Sequence, residues 1–129
     1  MRERLKRYFE DFEKALKNLD EAVRIAVRDI EIDGAIKRFE LCYELSWKLI
    51  KEWLADKGII CKNPRDCFKY AYENNLIKDE KVWLEMIEDR NELVHNYTLE
   101  ESRIIFERIK ENYLRAFKEL YEIVERGKP

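Results

Sequence analysis

The chain has 129 residues, of which 46% are hydrophobic and 42% charged, with only 3 Gly, 2 Pro and no Gln. It is too apolar for a disordered chain, too poor in turn-formers for an all-β protein, and of a length that one domain spanning residues 1–129 satisfies. The 26 Lys and Arg against 28 Asp and Glu give a formal charge of −2, which argues against coating nucleic acid by bulk electrostatics and leaves room for a local basic cleft.

The N-terminal stretch Met1–Lys14 is too charged for a secretory signal. No apolar run approaches the roughly 18 residues of a membrane span, so a cytoplasmic chain without membrane contact is expected. Leu5, Tyr8, Phe12, Ala15, Leu19, Ala22 and Ala26 recur three and four apart, predicting a long amphipathic first helix with a heptad seam. It should end between Arg28 and Asp33, with Asp33-Gly34 as break and new N-cap. A second helix follows to Lys57, with Ile36, Phe39, Tyr43, Ile50 and Trp53 on one apolar face and Leu41, Leu45 and Leu49 on another. Between them runs a polar stripe of Lys37, Glu40, Glu44, Lys48 and Lys51. Gly58 suits a C-terminal stop.

Asn63-Pro64 reads as N-cap and first-turn proline of a short third helix that breaks at Asn74-Asn75. Asp79 caps a fourth through Val82, Trp83, Met86, Ile87 and Leu93. Thr98-Leu99-Glu100-Glu101 matches a capping box and opens a last long helix carrying Phe106, Ile109, Tyr113, Ala116, Leu120 and Ile123. The expected fold is all-α: an up-and-down helical bundle of three long and two shorter helices, with homodimerisation through its apolar edges. Trp47, Trp53 and Trp83 are expected in the core. Cys42, Cys61 and Cys67 are odd in number and form no CxxC pair, which predicts ordinary thiols with neither disulfide nor zinc site.

Gly-rich phosphate loops, HExxH and GxSxG are absent, and a single histidine excludes a His-rich metal site within one subunit. No metal or cofactor is expected. The remaining chemistry sits in Glu88-Asp89-Arg90-Asn91-Glu92-Leu93-Val94-His95-Asn96-Tyr97. At helical spacing Arg90, Asn91 and His95 fall within an arc of roughly 140°, with Tyr97 just beyond. A guanidinium and an amide suit a phosphate, and imidazole suits proton transfer near neutral pH. The plainer reading makes His95 a helix-end residue and pairs Arg90 with Asp89 or Glu92. One histidine is thin for acid–base work, and a two-fold dimer would bring two copies of Arg90 and His95 to one cleft. For the stripe, an ordinary Glu44–Lys48 pair is preferred. The alternative has Glu40 and Glu44 line the cleft and orient Arg90 or His95.

The stretch Arg90 to Tyr97 resembles the R-x4-H-x-Y pattern of HEPN domains in their HepT-type form. Lys37–Lys48, Asn63-Pro64-Arg65 and Trp83–Asn91 resemble, in order, segments of the nucleotidyltransferase substrate-binding protein family. The resemblance implies a helical two-fold dimer with the motif lining an intersubunit cleft, and a separate small nucleotidyltransferase as partner. It implies a metal-independent endoribonuclease toxin held in check by that partner, or alternatively a non-catalytic subunit that presents a nucleotide substrate. On this basis Arg90 and His95 are the expected catalytic residues, with Asn91, Asp89, Glu40 and Glu44 supporting or binding. Tyr97 is the hydroxyl expected to receive AMP.

Overall fold

A computed structural model describes residues 1–127, so the last two positions of the expected domain lie outside the described residues. Helices α1 (Glu3–Ile25) and α2 (Asp29–Asp56) form a long hairpin, followed by α3 (Pro64–Glu73) and α4 (Glu80–Leu93). The C-terminal rod consists of α5 (Leu99–Arg108), a π-helical turn (Ile109–Tyr113) and α6 (Leu114–Arg126). α2 is the central element: α1 packs along it, α3 and α5 lean on it, and α6 closes against α1. Among the described residues no helix is long and apolar enough to cross a membrane.

The local signals act where the sequence places them. Asn63 Oδ1 accepts from the Asp66 N–H (2.9 Å) and Asp79 Oδ1 from that of Val82 (3.3 Å). Thr98 and Glu101 exchange both capping-box bonds, each 3.1 Å. α2 and α3 end alike: Gly58 and Asn75 take positive φ, and the N–H groups of Ile59 and Leu76 return to the Leu54 and Ala71 carbonyls. Each closure points an apolar residue back at the core.

One aromatic cluster joins the elements. Phe39 stacks on Tyr113 with centroids 5.3 Å apart, while Trp83 meets Phe68 at 4.9 Å and Phe117 at 5.5 Å. Trp83 is buried as expected, but Trp47 and Trp53 lie only partly buried at its margin, where Lys51 and Lys57 cover their rings.

Four expectations are corrected. α2 starts at Asp29 and takes Gly34 into its body, because the Glu31 carboxylate accepts the N–H groups of Arg28 and Val27 and starts the helix a turn early. On α1 the buried stripe is wider than a heptad seam: Phe9, Leu16 and Val23 are buried, whereas Tyr8, Ala22 and Ala26 are only partly so. The last helix is interrupted by the π turn, in which Ile109 and Tyr113 are both buried. Cys61 and Cys67 are joined in a disulfide, since the Asn63-Pro64 cap turns the chain back and brings their Cα atoms to 5.1 Å; Cys42 alone is a buried thiol.

Candidate functional site

α4 ends where the expected site begins. Val94 caps it, and the tightened last turn is held by bonds from the Val94 and His95 N–H groups to the Asn91 and Glu92 carbonyls. His95 therefore stands one residue past the cap, exposed, with Asn91 exposed on the last turn. Arg90 points the other way around the helix, towards α2, and is half-buried. Its Nη2 lies 3.4 Å from Glu44 Oε1, and Glu44 Oε2 accepts from the Trp47 indole N–H at 3.2 Å.

The Glu44 carboxylate thus pairs with Arg90 and not with Lys48, reversing the preferred reading of the stripe. An indole on the same helix fixes the carboxylate, which fixes the guanidinium on α4. Trp47 was missed as a positioning group, although its three-residue spacing from Glu44 carries the signal. The single contact leaves most of the five guanidinium donors of Arg90 open to an anion.

Tyr97 rises beside the N-terminal half of α2. Burial lifts its phenol above the ordinary value, and the Asp33 and Glu40 carboxylates add to the rise. Glu40 is accordingly brought to Tyr97, and Glu44, one turn along, to Arg90. Asp33 is the acidic neighbour that sequence reasoning missed, having been read as a helix cap.

Asp89 does not join this group. It is buried on another side of α4, where it accepts from the Tyr113 hydroxyl and, at 2.6 Å, from Arg108 Nη1. A recess of about 180 Å³ adjoins it, lined also by Glu92, Glu101, Ile104, Ile105 and Arg108. Burial raises its carboxyl pKa, against the lowering pull of Tyr113 and Arg108. Its place is a buried tie between α4 and the π turn, so the supporting role expected for it beside Arg90 is corrected: adjacent helix positions point about 100° apart.

On the exposed side of α4, Glu88 Oε1 receives Arg65 Nη2 from the first turn of α3 at 3.1 Å. Tyr43 is buried nearby: burial pushes its phenol up to about 12, Glu44 adds to the rise, and Arg90 and Arg65 pull against it. Among the described residues, no cluster of three or more His, Cys, Asp or Glu side chains is disposed to hold a metal ion.

The family described as nucleotidyltransferase substrate binding protein like matches residues 7–126. A Haemophilus influenzae protein named "Probable ribonuclease HepT" is 32% identical over 88 residues, or 64% of this chain; the match spans 60% of that relative's length. A crystal structure from Thermus thermophilus shares 31% identity at a TM-score of 0.79, covering 89% of this chain and 97% of that one. A structure from Haemophilus influenzae, presented as the fold of a substrate binding domain of a nucleotidyltransferase, shares 25% identity at a TM-score of 0.70 and covers 94% and 96%. The tri-AMPylated Shewanella oneidensis HEPN toxin, solved in complex with its MNT antitoxin, superposes with a TM-score of 0.79 over 98% and 99% of the chains; at 18% identity it speaks for the fold alone. With the match running along nearly the whole chain, this protein belongs to the nucleotidyltransferase substrate-binding-protein-like family.

Proposed function

We propose that this protein is a HepT-type toxin that cleaves RNA without a metal ion, acting as a two-fold dimer and restrained by a separate small nucleotidyltransferase. The observation that carries the reading is the Trp47–Glu44–Arg90 chain, which holds a guanidinium on the α2 side of α4, with His95 exposed just past the end of that helix. In the reaction the RNA 2′-oxygen attacks the adjacent phosphorus, an O2′–P bond forms and the P–O5′ bond breaks. The products are a 2′,3′-cyclic phosphate and a free 5′-hydroxyl. Arg90 bears the charge growing on the phosphoryl oxygens and Asn91 donates beside it. One His95 takes the 2′-hydroxyl proton, and the His95 of a second copy supplies a proton to the leaving oxygen. The exposed apolar residues Leu41, Val94 and Leu99 surround this stretch and suit burial against that second copy.

Tyr97 is the acceptor of AMP in this reading. Transfer forms a phenolic O–P bond, releases pyrophosphate from ATP, and sets a bulky anion beside Asp33 and Glu40 where RNA would enter. The phenol is protonated near neutral pH, so the transfer needs a base to take its proton, which in this reading the partner enzyme supplies.

The test is cleavage of a tRNA mixture and an unstructured RNA in EDTA by wild type, Arg90→Ala and His95→Ala. Cleavage by wild type alone is expected. Metal-dependent activity, or full rates in either variant, overturns the assignment. A second reading, a non-catalytic subunit presenting substrate to the nucleotidyltransferase, draws on the relative solved as such a substrate binding domain. Its signature is binding that Arg90→Ala weakens, with no cleavage by an unmodified dimer.

A further inference from the structure

Glu88 and Asn91 lie within an arc of roughly 60° on the exposed side of α4, and His95 follows just past the end of that helix. All three are exposed. Across the first of them lies Arg65, anchored on α3 by a segment that is itself constrained. Pro64 sets the first turn, Asn63 caps it, and the Cys61–Cys67 disulfide ties the preceding loop to that turn. The α3 backbone therefore presents Arg65 from a fixed point. Its ion pair with Glu88 is open to water, with side chains 59% and 70% exposed. Exposed pairs of this kind are weak, so an incoming anion can displace the carboxylate.

Arg65 and Arg90, on two helices, each pair with one glutamate, and both pull against the rise of the buried Tyr43 phenol. The Tyr43 ring is packed edge-on against Phe68, with centroids 6.1 Å apart. Two planar cations on neighbouring helices, each paired with a single glutamate, suit two successive anions better than one.

We propose that Arg65 is a second phosphate subsite, which holds a phosphate flanking the scissile one of a single-stranded RNA, with Glu88 as its resting counter-charge. The proposal rests on the RNA-binding reading of Arg90 and His95 and extends it to a residue outside the R-x4-H-x-Y stretch. Arg65 is a binding residue for a neighbouring phosphate and takes no part in the proton transfers.

The experiment measures fluorescence anisotropy of a labelled 2′-O-methyl octanucleotide, which cannot be cleaved, over a range of salt concentrations. The matching dinucleoside monophosphate serves as competitor. Arg65→Ala should weaken octanucleotide binding about tenfold and lower the salt slope by about 0.7, the share of one phosphate contact. The dinucleotide, having a single phosphate for Arg90, should bind that variant as it binds wild type. Arg65→Lys should restore the slope, and Glu88→Gln should bind the octanucleotide more tightly than wild type. Unchanged octanucleotide affinity and slope in a folded Arg65→Ala, or weaker binding in Glu88→Gln, overturns the subsite and leaves the Arg90 reading standing. If wild type binds no oligonucleotide at low salt, the RNA reading falls and the subsite falls with it. Should Arg65→Ala fail to fold, Arg65→Lys and Glu88→Gln still decide.

Discussion

The Asp89 carboxylate is held by two donors, the Tyr113 hydroxyl and the Arg108 guanidinium, inside a boundary that water scarcely reaches. Removing one donor strands part of a buried charge, which costs more than the bond returns when formed. Tyr113→Phe should therefore lower stability by about 1.5–3 kcal/mol in urea unfolding, and a change under 0.5 kcal/mol would mean the hydroxyl is not needed there. The pH dependence has a definite sign. Burial raises the Asp89 pKa above its ordinary 3.8, so the folded state binds this proton more tightly than the unfolded one. Its contribution is fullest below that ordinary value and is lost as pH rises through the raised one. The stability advantage of wild type over Asp89→Asn should thus shrink from pH 4 towards neutrality; an advantage that grew would show that Tyr113 and Arg108 outweigh desolvation.

Between elements, the disulfide and the π turn do what the caps cannot. Cys61–Cys67 closes a short loop over the α3 N-terminus and limits the freedom of the unfolded chain. Loop-closure entropy for so small a ring is on the order of 2 kcal/mol. Denaturant unfolding with and without dithiothreitol should differ by about that amount, and Cys61→Ala/Cys67→Ala should be indifferent to the reductant. Equal midpoints for wild type in both conditions would refute the bridge. The π turn adds a residue to the last helix while Tyr113, Leu114, Phe117 and Leu120 all stay buried. The repeat from Phe106 to Ile123 implies a helix and carries no signal of that irregularity, because those residues share one face of a regular helix as well.

At the scale of the molecule, the proposed reaction takes its second proton-transfer group from a second copy, because each chain carries one histidine. Leu41 is an apolar residue at 47% exposure one turn before Glu44 on the site face of α2. Leu41→Glu should give a folded monomer by light scattering and circular dichroism, with RNA cleavage lost. A monomeric variant that still cleaves would place the whole reaction within one chain.

The helices, the caps of α3, α4 and α5 and the R-x4-H-x-Y stretch were legible in the sequence because each depends on residues a turn or two apart. Ser, Thr, Asp and Asn cap by local hydrogen bonds, and apolar spacing reports a helix whatever it packs against. The site was legible only as a cluster of types: Arg90, Asn91, His95 and Tyr97 were found by spacing, and Glu44 stood as the less favoured choice beside Lys48. Tertiary structure decided which carboxylate meets which cation. It gave Glu44 to Arg90, Glu88 to Arg65 and Asp89 to the interior, because partners far apart in sequence meet only after α2, α3 and α4 have packed. The pairing of Cys61 with Cys67 has the same origin: six residues of separation imply nothing until the Asn63-Pro64 turn brings the two Cα atoms together.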